Sequence, residues 1–248
     1  MTPETFKRSI RDLQVWCSSC MVAFAGADPI AVLIGAKRPS GTLIHKIAVH
    51  PDHRRQGHGR HLLTSLSSKL AILGPPRMVA EVPETVIPAC ELFAACGYVQ
   101  EAVLTDYVLQ LEGIDLQAAV SFLIPVTVDD LIANGLLGEA DAELCWERSI
   151  ETLTARKDEL EGLAVASDER IEAFILYSSD GEILSLRSFV DDDGARLKQL
   201  LSQLIAQDMK ILRLRKVHPA EVSKQLIDLL GFRAAGAHRV YAARPRSN

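Results

Sequence analysis

From Val49 to Arg60 the chain reads Val-His-Pro-Asp-His-Arg-Arg-Gln-Gly-His-Gly-Arg. Two glycines one residue apart, with Arg54, Arg55 and Arg60 around them, are residue types that could grip an anion. Glycine lets main chain approach a ligand without a Cβ in the way. Amides that open a helix lack internal partners and lie at the positive end of its dipole. Arginines add full charges to the same turn. Such a set suits a phosphate or diphosphate. A short distance upstream stands His45, whose side chain titrates near neutrality and suits removal of a proton from a nucleophile.

For the turn to work in this way, a strand must deliver it and a helix must follow it. Leu43 to Val49 alternates as a strand, with Leu43, His45, Ile47 and Val49 expected on one side and Ile44, Lys46 and Ala48 on the other. Pro51 cannot continue a ladder and ends the strand. Beyond Gly59, Leu62, Leu63, Leu66 and Leu70 form the stripe of an amphipathic helix. No Gly-Lys-Ser/Thr follows the glycines, which excludes a nucleotide P-loop. A single G-x-G is too little for a βαβ dinucleotide fingerprint.

The spacing Val49-x-Pro51-x-x-Arg54-Arg55-x-Gly57-x-Gly59 resembles the acetyl-CoA signature of the GNAT superfamily of N-acetyltransferases, in which Arg or Gln, two residues, Gly, one residue and Gly or Ala follow a strand. The resemblance implies an α/β fold of GNAT-like units, each a mixed, mostly antiparallel sheet flanked by helices. It implies acetyl-CoA as acyl-donor cosubstrate, no metal, and acetyl transfer to a primary amine on a small molecule or peptide. Backbone groups of Ile47, Ala48 and Val49 would bind the pantetheine arm. Arg54 and the amides of Arg55, Gln56, Gly57, His58, Gly59 and Arg60 would hold the pyrophosphate. His45 falls at one of the two strand-histidine positions of the arylalkylamine N-acetyltransferases, and Leu43 takes the other. On that resemblance His45 is the general base, against the alternative of a histidine packing beside the cleft.

The chain also departs from the family. Many members carry Tyr four residues before the glycine that ends the next helix, as the acid that protonates the CoA sulfur. Here that glycine is Gly97 and the position is Phe93. The usual Asn at the helix start is Val86, while Ala89 matches. A phenyl ring has no proton to give, which leaves water, another residue or Cys96. The departure supports an alternative reading, a catalytically silent acyl-CoA-binding or regulatory protein.

The rest of the chain supplies the frame. The pattern predicts an amphipathic helix from Pro3 to Trp16, strands at Cys20–Ala25 and Ile30–Ala36, and the signature strand and helix to about Leu73. A strand at Arg77–Val82, a helix at Ile87–Ala95 and one or two closing strands over Tyr98–Leu111 complete a first unit. Glu112 to Asp115 reads as a junction, after which the pattern recurs. Phe6-Lys-Arg-Ser-Ile returns 140 residues later as Trp146-Glu-Arg-Ser-Ile, and Gly41 returns as Gly181 at the same offset. Gly97 and Tyr107 return as Gly231 and Tyr241, each 134 residues later. Ordered matches at near-constant spacing indicate duplication, with units expected at 1–111 and 116–248.

The second copy begins with a strand at Ala119–Val128 and a helix at Asp129–Leu137 that the first copy lacks. An uncompleted sheet edge in the first unit would be covered by the other unit or by a second molecule, as in a homodimer. The second copy reads Asp191-Asp192-Asp193-Gly194 where the first has Arg54 to Gly59. A like-charge pair ~5 Å apart at an effective dielectric of ~20 costs ~3 kcal/mol, so this turn is expected to reject a diphosphate.

Composition narrows the classes. A net charge of −5 argues against a general nucleic-acid binder, so the basic cluster is local. No apolar run approaches the ~20 residues of a membrane helix. Five cysteines, with no apolar leader, suggest reduced thiols and a cytoplasmic location. Cys17-x-x-Cys20 has no second ligand pair, and His58 and His61 read as solvated, so no metal is expected. Trp16 and Trp146 are expected in the core.

Overall fold

A computed structural model describes residues 2–111, 122–138, 145–206 and 209–246. The expected junction at Glu112–Asp115, and the start of the strand expected at Ala119–Val128, lie outside the described residues. Two compact units form: residues 1–103 with 238–248, and residues 104–237.

Along the chain come α1 (Pro3–Asp12), β1 (Met21–Ala25), β2 (Asp28–Arg38), β3 (Gly41–Val49), α2 (His58–Leu73), β4 (Met78–Pro83), α3 (Ile87–Ala95) and β5 (Val99–Gln110). They are followed by β6 (Phe122–Pro125), α4 (Val128–Ala133), α5 (Ile150–Ala155), β7 (Leu160–Ala166), β8 (Ile171–Ser178) and β9 (Glu182–Ser188). The last elements are α6 (Ala195–Ala206), β10 (Ile211–Val217), α7 (Lys224–Leu229) and β11 (Arg233–Ala243). The first unit's sheet runs β1-β2-β3-β4-β11, and the second's runs β5-β10-β9-β8-β7-β6. Only β3–β4 and β9–β10 are parallel; the other characterised pairs are antiparallel. Each unit is thus the mixed, mostly antiparallel sheet flanked by helices that the resemblance implied.

The sheets do not follow the repeat boundary. In the first unit the strand beside β4 is β11, from the far end of the chain, through His238–Ala243. In the second, β10 pairs with β5, the last strand of the first repeat, through Thr105–Gln110. The two repeats have exchanged their closing strands. The division expected at 1–111 and 116–248 follows the repeats and therefore differs from the compact units by that exchange.

Packing follows the apolar stripes. Leu62, Leu63, Leu66 and Leu70 of α2 bury against Leu33, Ile44, Met78, Ala80 and Val82 in the first unit. Leu197, Leu200, Leu201 and Leu204 of α6 are fully buried in the second. α1 stops at Asp12, short of the expected Trp16, because Gln14 turns into the left-handed region at φ 57° and Val15 bridges to Ala36. That exit leaves Trp16 on the surface, 59% exposed, against the expectation of a core position, whereas Trp146 is buried. α4 is shorter than the helix expected to Leu137; Thr127 and Asp130 cap its start reciprocally.

One ion pair is sealed in the second unit. Arg148 donates to both Glu221 oxygens, at 2.9 and 3.1 Å from Nε, and to the Ile183 carbonyl at 2.9 Å. Removing one partner leaves the other charge buried alone. Arg148→Met is expected to cost about 3–5 kcal/mol in urea unfolding followed by Trp146 fluorescence. Arg148→Met with Glu221→Leu should recover most of that loss.

Candidate active site

β3 sets the site through a bulge. Ile34 of β2 pairs with Lys46 and Gly35 with Ile44, so His45 is an extra residue in the register of β3. The bulge breaks the expected alternation. Ile44 shares one hydrophobic cluster with Ile47 and Val49, which strict alternation placed on opposite sides. His45 is half-buried and Lys46 exposed.

Beyond the bulge β3 and β4 part. Their parallel ladder holds Thr42 against Met78 and Leu43 against Val79 and goes no further. β4 continues its antiparallel pairing with β11 through Pro83. On its other side β3 stays paired with β2 as far as Val49, and the His50 amide reaches the Ile30 carbonyl at 2.8 Å. Antiparallel bonding alternates, so Lys46, Ala48 and His50 turn their peptide groups to β2. Ile47 and Val49 turn theirs toward the side β4 has left. Of the three residues expected to present backbone to a ligand, Ile47 and Val49 are placed to do so, and Ala48 faces β2.

The turn after β3 brings the expected anion-binding residues together at the start of α2. Arg54 Nε donates to the Val49 carbonyl at 3.2 Å, which ties the turn to the strand end. Gln56 Nε2 donates to the Asp52 carbonyl at 3.1 Å. Arg55 is left-handed at φ 63° and Gly57 at φ 85°. No side chain caps the helix at Gly57, and the first helical bond runs from the His61 amide to the Gly57 carbonyl at 2.9 Å. The amides of His58, Gly59 and Arg60 precede that bond and open the helix.

The two glycines serve different needs. A Cβ on Gly57 would meet no atom within 4 Å, so glycine is required there for its φ and not for space. A Cβ on Gly59 would lie 3.0 Å from Leu92 Cδ2, so this glycine lets α3 pack onto α2. The arginines also divide. Arg60 donates to the Ala95 carbonyl at 3.2 Å and so serves the C-terminal end of α3. Arg55 makes a surface pair with Glu91 at 3.8 Å. His50, His53 and His58 line up edge to face, with ring centroids 5.9 and 6.1 Å apart. No cluster able to hold a metal ion occurs among the described residues.

Phe93 is buried within an aromatic group that the sequence did not reveal. Its ring meets Tyr98 edge to face at 5.1 Å and stacks on Tyr241 at 5.9 Å. The Tyr98 hydroxyl reaches Met78 Sδ at 3.6 Å. Burial holds this phenol's pKa well above its usual range, with a further rise from the neighbouring Cys96. Burial also pushes the Cys96 thiol up, although Arg60 draws it down.

The matching turn of the second unit is closed by its own side chains. Asp192 Oδ2 accepts from the Arg196 amide at 2.9 Å, so a carboxylate already sits on the α6 N-terminus. β9 and β10 also pair at only two positions, but Leu184, Ser185 and Leu186 are buried there, whereas β3 is exposed in alternation beyond Ile44.

Known proteins resemble the chain in sequence over its first part and in fold over most of its length. Residues 2–98 match the model of the acetyltransferase (GNAT) family. The fold of the chain is similar to that of a tandem GNAT protein from the clavulanic acid biosynthesis pathway, at 16% identity and TM-score 0.66, over 97% of this chain and 88% of that one. It is similar to a putative acetyltransferase from Pyrococcus horikoshii, at 17% identity and TM-score 0.63, over 99% and 81%. It is also similar to a GCN5-related N-acetyltransferase from Sphaerobacter thermophilus, at 14% identity and TM-score 0.65, over 92% and 81%. No curated protein sequence matches the chain. Residues 2–98 are thus similar in sequence to the GNAT acetyltransferase family, and the chain over most of its length has the fold of a tandem GNAT protein, with an acidic turn in its second unit.

Tyr98 gives a pH test. Unfolded, a tyrosine loses its proton near pH ~10, whereas the folded chain retains it to higher pH. Stability is therefore unaffected by this group below pH ~10 and falls as pH rises beyond it, by up to ~1.4 kcal/mol per pH unit. Thermal unfolding between pH ~8 and ~12 should show the fall, and Tyr98→Phe should flatten it.

Proposed function

We propose that the protein is an acetyl-CoA-dependent N-acetyltransferase acting on a primary amine, with the first unit as the acting unit. The observation that carries this reading is an uncapped helix N-terminus delivered by a strand whose neighbour has left the ladder. The helix amides and the Arg54 side chain suit a pyrophosphate. The peptide groups of Ile47 and Val49 suit an amide-bearing arm laid along the gap. Acetyl-CoA supplies the acetyl group as a thioester. The amine nitrogen forms the new bond to the acetyl carbon, the bond to sulfur breaks, and the amine gives up a proton. His45 takes that proton, directly or through water, from its place on the bulge.

The second unit leaves CoA unbound in this reading, because the Asp192 carboxylate occupies the position a phosphate would need. The acceptor is a small-molecule or peptide amine; neither nucleic acid nor membrane is a partner, and the setting is the cytoplasm. No helix among the described residues is long and apolar enough to cross a membrane. A homodimer would cover the edge strand β1, whose Val22 and Phe24 are 50% and 60% exposed.

Phe93 favours a second reading. Its ring is locked among Tyr98 and Tyr241 and carries no proton for a leaving thiolate. On that reading the chain binds acyl-CoA without turnover. Thiol release from acetyl-CoA with a panel of amines separates the two, since binding without release for any amine favours the silent protein.

Calorimetric titration with acetyl-CoA should show one site per chain. Gly57→Asp should weaken it by about a hundredfold, the equivalent of one ~3 kcal/mol repulsion. His45→Ala should retain affinity and lose about 10²–10⁴ in turnover. No uptake by the intact protein would overturn the assignment, and unchanged turnover in His45→Ala would remove the base role.

A further inference from the structure

A cavity of about 790 Å³ lies in the first unit; none of its lining residues belongs to the turn at Arg54–Arg60, although one of them, Cys96, is in reach of the Arg60 side chain. It opens against Leu63, Thr64 and Ser67, about two turns further along α2. That volume is within the range of small-molecule sites. Its floor is closed by the buried Leu63, Met78, Tyr98 and Ala242, its accessible apolar surface comes from Pro76 and Val99, and Thr64 offers a hydroxyl.

Its charge is uneven. Arg77, Arg244 and Arg246 line it together with one carboxylate, Glu101. Glu101 is already paired with Arg77. Among the described residues, neither Arg244 nor Arg246 has a carboxylate partner. The segment carrying these two arginines is held in place. The Arg246 amide donates to Ser67 Oγ at 2.9 Å, and Ser67 Oγ donates back to the Arg246 carbonyl at 3.3 Å. The clasp fixes the chain after β11 against α2, so the two cations stand at the cavity rather than on a loose end.

We propose that this cavity is a second small-molecule site that takes an organic anion, its acidic group held by Arg244 and Arg246 and its apolar body laid on the exposed Pro76 and Val99. Arginine suits the role because its planar fork binds carboxylate or phosphate with paired hydrogen bonds. The site is separate from the acyl-donor gap and stands whether or not the chain transfers acetyl groups. Cys96 lines the same cavity and reports on its occupancy.

The probe is 8-anilinonaphthalene-1-sulfonate, an apolar body with one anionic group, added to the full chain. Saturable binding to one site is expected, weakened about tenfold or more in Arg244→Ala/Arg246→Ala and unchanged by saturating acetyl-CoA. Absence of saturable binding, equal affinity in the double variant, or displacement by acetyl-CoA would each overturn the proposal. Alkylation by iodoacetamide at mildly alkaline pH, mapped by mass spectrometry, gives an independent reading. The probe should slow modification of Cys96 and leave the exposed Cys17 unaffected; equal Cys96 rates with and without probe would also overturn it.

Discussion

The first unit is organised by an interrupted ladder. β3 and β4 share two residue pairs and then separate, while each keeps its other neighbour. Interior strands of a sheet ordinarily satisfy both rows of peptide groups. Here the Ile47 and Val49 peptides are released from that duty without the sheet losing its frame. The bulge at His45 allows it. An extra residue lets β3 bend while Ile44 and Ile47 both remain in the core. Arg54 then ties the far end of the strand back through the Val49 carbonyl, and α2 begins with its amides open.

The second unit shows what removes that opening. Its equivalent strands separate after the same number of pairs, so topology alone does not leave a strand and helix end open. A carboxylate on the helix N-terminus and buried side chains along β9 close it. Duplication has therefore left one fold in two chemical states. The sealed Arg148–Glu221 pair adds to the packed character of this unit and lies within its own residues.

Exchange of the closing strands changes how the repeats must be viewed. β4 completes its ladder with β11, and Tyr241 of that strand stacks on Phe93. The aromatic group around Phe93 is thus built partly by β11. The first unit's packing needs the last residues of the second repeat.

What rests on local rules was legible in the order of residues. Pro51, the arginines, the spaced glycines and the leucine stripe placed strand, turn and helix, because proline, φ-permissive glycine and helical periodicity act over a few residues. The repeat and the acidic turn of the second copy could be read for the same reason. Contacts between distant segments settled the rest. A bulge is a mismatch between two strands, so no single strand's alternation could show that His45 stands outside the register. Gly59 read as room for a ligand, yet its open side faces Leu92, whose Cδ2 would stand 3.0 Å from a Cβ there, a contact between helices more than thirty residues apart. The Arg60 amide stands in the first turn of α2, while its guanidinium reaches the carbonyl end of α3, a contact that spacing alone could not show. The strand exchange, too, was closed to sequence, since pairing depends on which edge is free in three dimensions and not on which repeat a strand belongs to.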